Sequence, residues 1–255
     1  MTTKDLGLLM PMVAVLLPAS PSVAQSVNYE TVMVGNPGNV ADTTGYGTVP
    51  YEYLIGKHEV TIGQYTEFLN AVAKNDPYSL WNASMASDPK RAGISRSGTN
   101  GAYAYSPKAP AGETPPGASS PGDRPIGWID WFDAARFANW IHNGQASGNT
   151  ETGAYTLNGL TGGTARARSP GARFFFPSEN EWYKSAYYSP ALKSGSGGYF
   201  SYATQSNNAP GNIIGSGSNQ ANYNTGVYSV TQSATFSATQ NYLTDVGAFG
   251  GAKSF

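Results

Sequence analysis

Few side chains in this sequence are spaced for chemistry. The closest acidic pair lies in "FFFPSENEWYKSAYYSP" (residues 174–190), where Glu179 and Glu181 stand two apart among aromatics. Two carboxylates that close could divide general acid and general base duty. The local reading is a helix start. Pro177 breaks a strand, Ser178 takes the N-cap, and Glu181 at N3 returns a bond to the Ser178 N–H. "QANYNTG" offers the amide oxygens of Asn222 and Asn224, donors that a calcium ion accepts together with main-chain carbonyls. The competing reading is an Asn-Thr-Gly turn that satisfies its own backbone. Trp131, Trp140 and Trp182 could stack on sugars, or pack helix faces into a core. His58 and His142 lie too far apart in sequence to suggest a His-rich zinc site, and each reads as a surface or partly buried polar residue. "GAFGGAKSF" approaches a phosphate loop at Lys253-Ser254. However, Ala252 replaces the required glycine and no helix follows. No Gly-x-Ser-x-Gly elbow is present, so a serine triad has no foothold.

Three capped helices are predicted to position these residues. After a strand-like alternation over 51–60, Thr61 and Gln64 form a capping box, and Tyr65, Phe68, Leu69 and Val72 fall on one apolar face. In "RPIGWIDWFDAARFANWIHNG", Asp130 is the N-cap. Ala134, Phe137, Ala138 and Ile141 share a face there, and Gly144 stops the helix. The third helix runs from Ser178 to about Tyr188, behind a buried strand end at 174–176. Residues 75–123, rich in Pro, Gly, Ser and Ala, read as irregular surface loop. "TLNGLTGGTARARSPGA" reads as a hairpin turning at Asn158-Gly159 and Gly162-Gly163. Beyond Leu192, turn residues and scattered aromatics carry no helical period.

Composition sets the outer bounds. The 255 residues hold 31 glycines, 17 prolines and 13% aromatics, while charged residues make up 12%, against about 25% in ordinary domains. A loop-rich fold pinned by aromatic clusters is implied. Hydrophobic residues at 40% suffice for a core, and a formal charge of -1 supplies no basic field for nucleic acid. The absence of cysteine excludes disulfides, thiolate metal sites and cysteine nucleophiles within these residues. At the N-terminus, Lys4 precedes an apolar run over 6–17, and Ser22-Val23-Ala24 offers small residues for cleavage. Residues 1–24 are therefore expected to be a signal peptide, and the protein to be exported to a periplasmic or extracellular location. No other stretch is long and apolar enough to span a membrane. Residues 25–50 read as a lead-in, and 51–255 as the domain.

"IGKHEVTIGQYTEFLNAV", "RPIGWIDWFDAARFANWI", "GARFFFPSENEWYKSAYY", "QANYN" and "VGAF" occur in this order over residues 51–249. Taken together, they resemble the formylglycine-generating enzyme family, also called the sulfatase-modifying factor domain. With "YATQSNNAPGN" after the third helix, the pattern is similar to that of exported bacterial members. The resemblance implies an α+β fold, loop-rich, of the unusual C-type-lectin-like kind. It also implies a structural calcium site, with Asn222 as a side-chain ligand and Tyr223 binding through its main-chain carbonyl. The family's later aspartate ligand has no clear match near Ala238 and Gln240.

The family's catalytic residues do not carry over. A Gly-Asn-x-Trp-Glu-Trp signature and a copper-binding cysteine pair would follow the "VGAF" match, and neither occurs before Phe255. The expectation is thus a domain lacking its C-terminal portion, with no copper site in this chain, and with apolar surface such as Phe249 and Phe255 left exposed. Two functions follow. One is a non-catalytic scaffold for surface binding or display, with a protein, peptide or glycan ligand and no nucleic acid. The alternative is a fragment of a metal-dependent oxidase whose catalytic residues lie beyond Phe255. The missing four-helix partner domain argues against an ergothioneine-type oxidase.

Overall fold

In the computed structural model, the described residues are 27–251, apart from 92, 110, 113, 116, 119, 146 and 147, together with the backbone of residues 14 and 15. The expected signal peptide, Lys253-Ser254 and Phe255 otherwise lie outside the described residues. The chain forms a mixed α+β fold with small antiparallel sheets and long irregular connections.

The main sheet holds β1 (Ala14–Val15), β2 (Thr31–Val34), β3 (Tyr53–Gly56) and β6 (Phe174–Phe175), in the order β2-β3-β1-β6. Val32 stands opposite Ile55, and Ala14 lies between Ile55 and Phe175. The alternation expected over 51–60 is kept in β3, where Tyr53 and Ile55 are buried and Leu54 is half-buried. The lead-in contributes β2.

All three predicted helices form with the predicted caps. Helix α1 (Ile62–Val72) starts on Thr61, whose hydroxyl accepts from Gln64 N at 3.1 Å, while Gln64 Oε1 accepts from Thr61 N at 2.9 Å. Helix α3 (Trp131–His142) starts on Asp130 with Asp133 as the reciprocal partner, and Gly144 follows at φ 87°. Helix α4 (Glu179–Tyr187) starts on Ser178 with Glu181. Each device satisfies two amides that the first turn would otherwise leave bare.

Helix α3 is central, and it is buried on more than the one predicted face. Phe137, Trp140 and Ile141 meet Tyr65, Phe68 and Leu69 of α1 in one cluster, with ring centroids 5.3–5.9 Å apart. Phe132, Ala135 and Ala138 pack instead on Tyr53, Ile55 and Phe175 of the sheet. Small residues at 135 and 138 let the helix lie close to the strands. Ala138 thereby leaves the stripe assigned to it.

Two loop expectations need correction. Residues 75–123 contain a short helix α2 (Ser84–Ser87) and a hairpin of β4 (Ile94–Ser97) and β5 (Ala104–Pro107). Ile94 and Tyr105 carry this hairpin into the α1 core, and Gly98 and Gly101 take positive φ at its turn. Conversely, no strands form within residues 156–172. Asn158 (φ 50°) and Gly159 (φ 80°) make the predicted turn, closed by Leu160 N donating to Leu157 O, but its flanks bond to α3 and to other loops. After α4, β7 (Tyr188–Ser189) pairs with β8 (Gly198–Tyr199) across the irregular turn α5 (Leu192–Gly195).

Candidate functional site

The acidic pair that could have been catalytic is divided between surface and interior. Glu179 is exposed, whereas Glu181 is fully buried. Oε2 of Glu181 accepts from Ser178 N at 2.6 Å. Oε1 accepts from the Tyr51 hydroxyl at 2.7 Å and from Arg168 Nη1 at 3.3 Å. A fully buried carboxylate held by three donors, one of them a cation, is a structural anchor. The three tryptophans weighed as sugar platforms serve internal packing. Trp140 is in the core, Trp131 touches Phe132, Tyr155 and Phe176 at 5.1–5.7 Å, and Trp182 meets Tyr187 at 5.9 Å.

A cavity of about 540 Å³ brings polar groups together, with His58, Glu59, Thr204, Asn222, Thr244 and Asp245 among its lining residues. Four main segments distant in sequence build it, one of them Ala203 and Thr204 after β8. His58 and Glu59 lie between β3 and α1. Asn222 comes from the "QANYN" turn, and 243–250 carries the "VGAF" match. That last segment is tied to the start of α1: Val246 N donates to Asp123 O at 2.8 Å, and Ile62 N donates to Arg124 O at 2.8 Å. Beneath the cleft, Arg124, almost wholly buried, faces Asp245 with Nε 3.5 Å from Oδ1. Gly247, at φ 74°, lets the backbone approach the His58 ring. A Cβ there would stand 3.2 Å from His58 Cε1. Burial lowers the pKa of His58, and Lys57 adds to the shift, which favours the neutral imidazole at pH 7.

Of the two predicted calcium ligands, Asn222 lines this cleft and Tyr223 does not. Asn222 is exposed, and its Nδ2 donates to Tyr242 O at 3.1 Å, so its Oδ1 remains an acceptor. Tyr223 is exposed, with its ring edge-on to Tyr202 at 6.1 Å. Asn224 follows the turn reading: its Oδ1 accepts from Gly226 N at 2.8 Å. Gln240 is buried, with Nε2 donating to Asn241 O at 2.7 Å. Among the described residues, no three His, Cys, Asp or Glu side chains are grouped to hold a metal. The donors on offer for calcium are therefore mainly neutral oxygens. Phe249, expected as exposed apolar surface, is half-buried along the cleft wall.

The sequence reading missed His58, Thr204, Thr244 and Asp245 as cleft residues. Nothing local marks them, since their proximity is produced by the crossing of four loop segments.

Comparison with known families settles the lineage. The sulfatase-modifying factor enzyme 1-like domain matches residues 26–250, which is most of the chain. The chain belongs to this family. All five quoted motifs fall inside the matched region. Comparison with curated proteins and with solved structures gave no match. As a member of the sulfatase-modifying factor family, the chain carries the family domain with a cleft of hydroxyls, amides, an imidazole and carboxylates, and with no thiol. Among the described residues, no helix is long and apolar enough to cross a membrane.

Proposed function

We propose that this chain is an exported, non-catalytic sulfatase-modifying factor-like domain. It would use a C-type-lectin-like scaffold to bind or display a peptide or glycan ligand in the His58–Asn222–Asp245 cleft. The observation that carries this reading is the cleft lining itself. Its side chains hydrogen-bond and fix charge, but the 255 residues supply no thiolate to bind copper or attack a substrate. A neutral His58 beside Thr204, Asn222 and Thr244 presents donors and acceptors suited to amides and hydroxyls. Export rests on the N-terminal apolar run with its small-residue cleavage site, and a family match that begins at residue 26 supports it. Cleavage after Ala24 would take β1 out of the sheet, so on this reading the exported domain holds its sheet without that strand.

A structural calcium at Asn222 Oδ1 and the Tyr223 carbonyl belongs to the same proposal. These are hard oxygen donors of the type calcium takes, and with few carboxylates close by the ion would be held weakly. It would brace the turn at the cleft mouth.

The test is a screen of the full chain on an immobilised panel of peptides and oligosaccharides, repeated with Ala203→Arg. Ala203 is exposed and lines the cleft, so the arginine blocks it without touching the core. The expected result is retention of a panel member by the parent chain and at least tenfold weaker retention by the variant, at unchanged melting temperature. Absence of retention, or a panel in which no retained member loses retention with Ala203→Arg, would contradict the reading.

A further inference from the structure

A second cavity, of about 530 Å³, opens where the N-terminal end of α3 meets the loop before α2. Tyr78, Asn82, Trp128, Asp130, Asp133 and Thr161 are among its lining residues, and it shares no residue with the cleft. Trp128 is the exposed tryptophan of the described chain, at 39% accessibility. Its indole is fixed in place. Nε1 donates to Asp88 Oδ2 at 3.0 Å, and the Arg91 guanidinium lies 5.0 Å from the ring centroid. Tyr78 is held in a similar way, with Arg136 Cζ 3.9 Å from its ring centroid.

The polar groups around these rings retain unused capacity. In the helix cap, Asp130 spends Oδ1 on Asp133 N, and Asp133 spends Oδ2 on Asp130 N. One oxygen of each carboxylate remains. Asn82 gives its carbonyl to Ser84 N, which leaves its amide nitrogen. The Thr161 hydroxyl makes no hydrogen bond among the described residues. A fixed aromatic plane bordered by carboxylate, amide and hydroxyl groups suits a ligand with an apolar C–H face and a rim of hydroxyls. Charge decides between a sugar and a cation. Arg91 pairs with Asp88 and Arg136 with Glu151 rather than with Asp130 or Asp133, but the two guanidinium groups stand against the Trp128 and Tyr78 rings, and positive charge in both aromatic walls disfavours a cationic ligand.

We propose that this cavity is a binding site for a neutral saccharide. Trp128 serves as the platform for a pyranose ring, and Asp130, Asp133, Asn82 and Thr161 bond to its hydroxyls. The proposal adds a second site to the binding-domain reading and does not depend on the cleft. Variants of the cleft leave it intact.

The experiment uses the full chain and a panel of neutral hexasaccharides of glucose, mannose, galactose and N-acetylglucosamine units, read by calorimetry. Two variants are compared. Trp128→Gly removes the platform at a φ of 61°, where glycine is favoured, so the fold is kept. Thr161→Arg fills the cavity from an exposed position. We expect at least one hexasaccharide to bind, with affinity reduced tenfold or more in both variants and unchanged in Ala203→Arg. Binding that survives both variants, or absence of binding to every hexasaccharide, would overturn the proposal.

Discussion

Arg136 Nε lies 2.7 Å from Glu151 Oε1, and Nη2 lies 3.0 Å from Oε2, with the arginine side chain wholly buried. Nη2 also donates to Leu160 O at 2.9 Å. This two-pronged pair joins the central helix to the loop that follows it. Asn139, one turn on, extends the attachment: its Nδ2 donates to Thr150 O and Tyr155 O, and its Oδ1 accepts from Tyr155 N at 2.8 Å. Asn143 continues it with bonds to Asn149 O and Thr152 O. Arg136 and Asn139 of α3, with its C-cap Asn143, form a polar stripe, and it is this stripe that orders a segment with no strands of its own.

Arg136→Ala should therefore cost about 3 to 5 kcal/mol, because it leaves Glu151 without its buried partner. Arg136→Lys should recover only part of that loss, since an ammonium cannot bond both carboxylate oxygens in the same fork. Urea unfolding of the two variants checks this. A loss under 1 kcal/mol in Arg136→Ala would show that the pair does not hold the loop.

The capping boxes give a smaller and cleaner expectation. Ser178→Ala removes the acceptor for Glu181 N and should cost about 1 kcal/mol. Ser178→Gly should cost only a few tenths. Thermal melts that rank the two variants in the opposite order would contradict the cap.

The sequence made these helices readable because a capping box is a contact between residues three apart, visible without any knowledge of the fold. The same locality explains the failures. The polar stripe of α3 is spaced like a solvent-facing side, and only partners at 149–160 make Arg136 and Asn139 interior. The β4–β5 hairpin has short strands, "ISRS" and "AYSP", with no apolar alternation to announce it. Trp128 and the cleft residues owe their roles to loop crossings, which periodicity does not encode. Asn222 is legible as an amide-oxygen donor in its own loop, whereas the Tyr223 carbonyl is named through family likeness.

Asp133 supplies a pH dependence. Burial, with further repulsion from Asp130, raises its pKa to about 7 from an ordinary 3.8. The folded state therefore favours the protonated carboxyl. That contribution to stability is complete below about pH 4 and is lost as the pH rises through about 7. Asp133→Asn keeps an oxygen for the Asp130 amide and removes the charge. It should stabilise the fold by about 2 kcal/mol at pH 8 and by much less at pH 4. Equilibrium unfolding at the two pH values would expose an error in the sign.

Calcium should act on the cleft turn alone. With 5 mM calcium chloride in place of EGTA, the melting temperature should rise by a few degrees, as mass action on the folded state requires. Asn222→Ala should abolish the rise. An equal response in parent and variant would place the ion elsewhere, and no response in either would remove calcium from the account.

The central claim is that this family member binds without oxidising. The direct measurement is mass spectrometry of a sulfatase-derived cysteine peptide incubated with the full chain, copper(I), oxygen and a reducing thiol. The account predicts a cysteine peptide of unchanged mass, indistinguishable from a blank without protein. Conversion of the cysteine to formylglycine above that blank would contradict it.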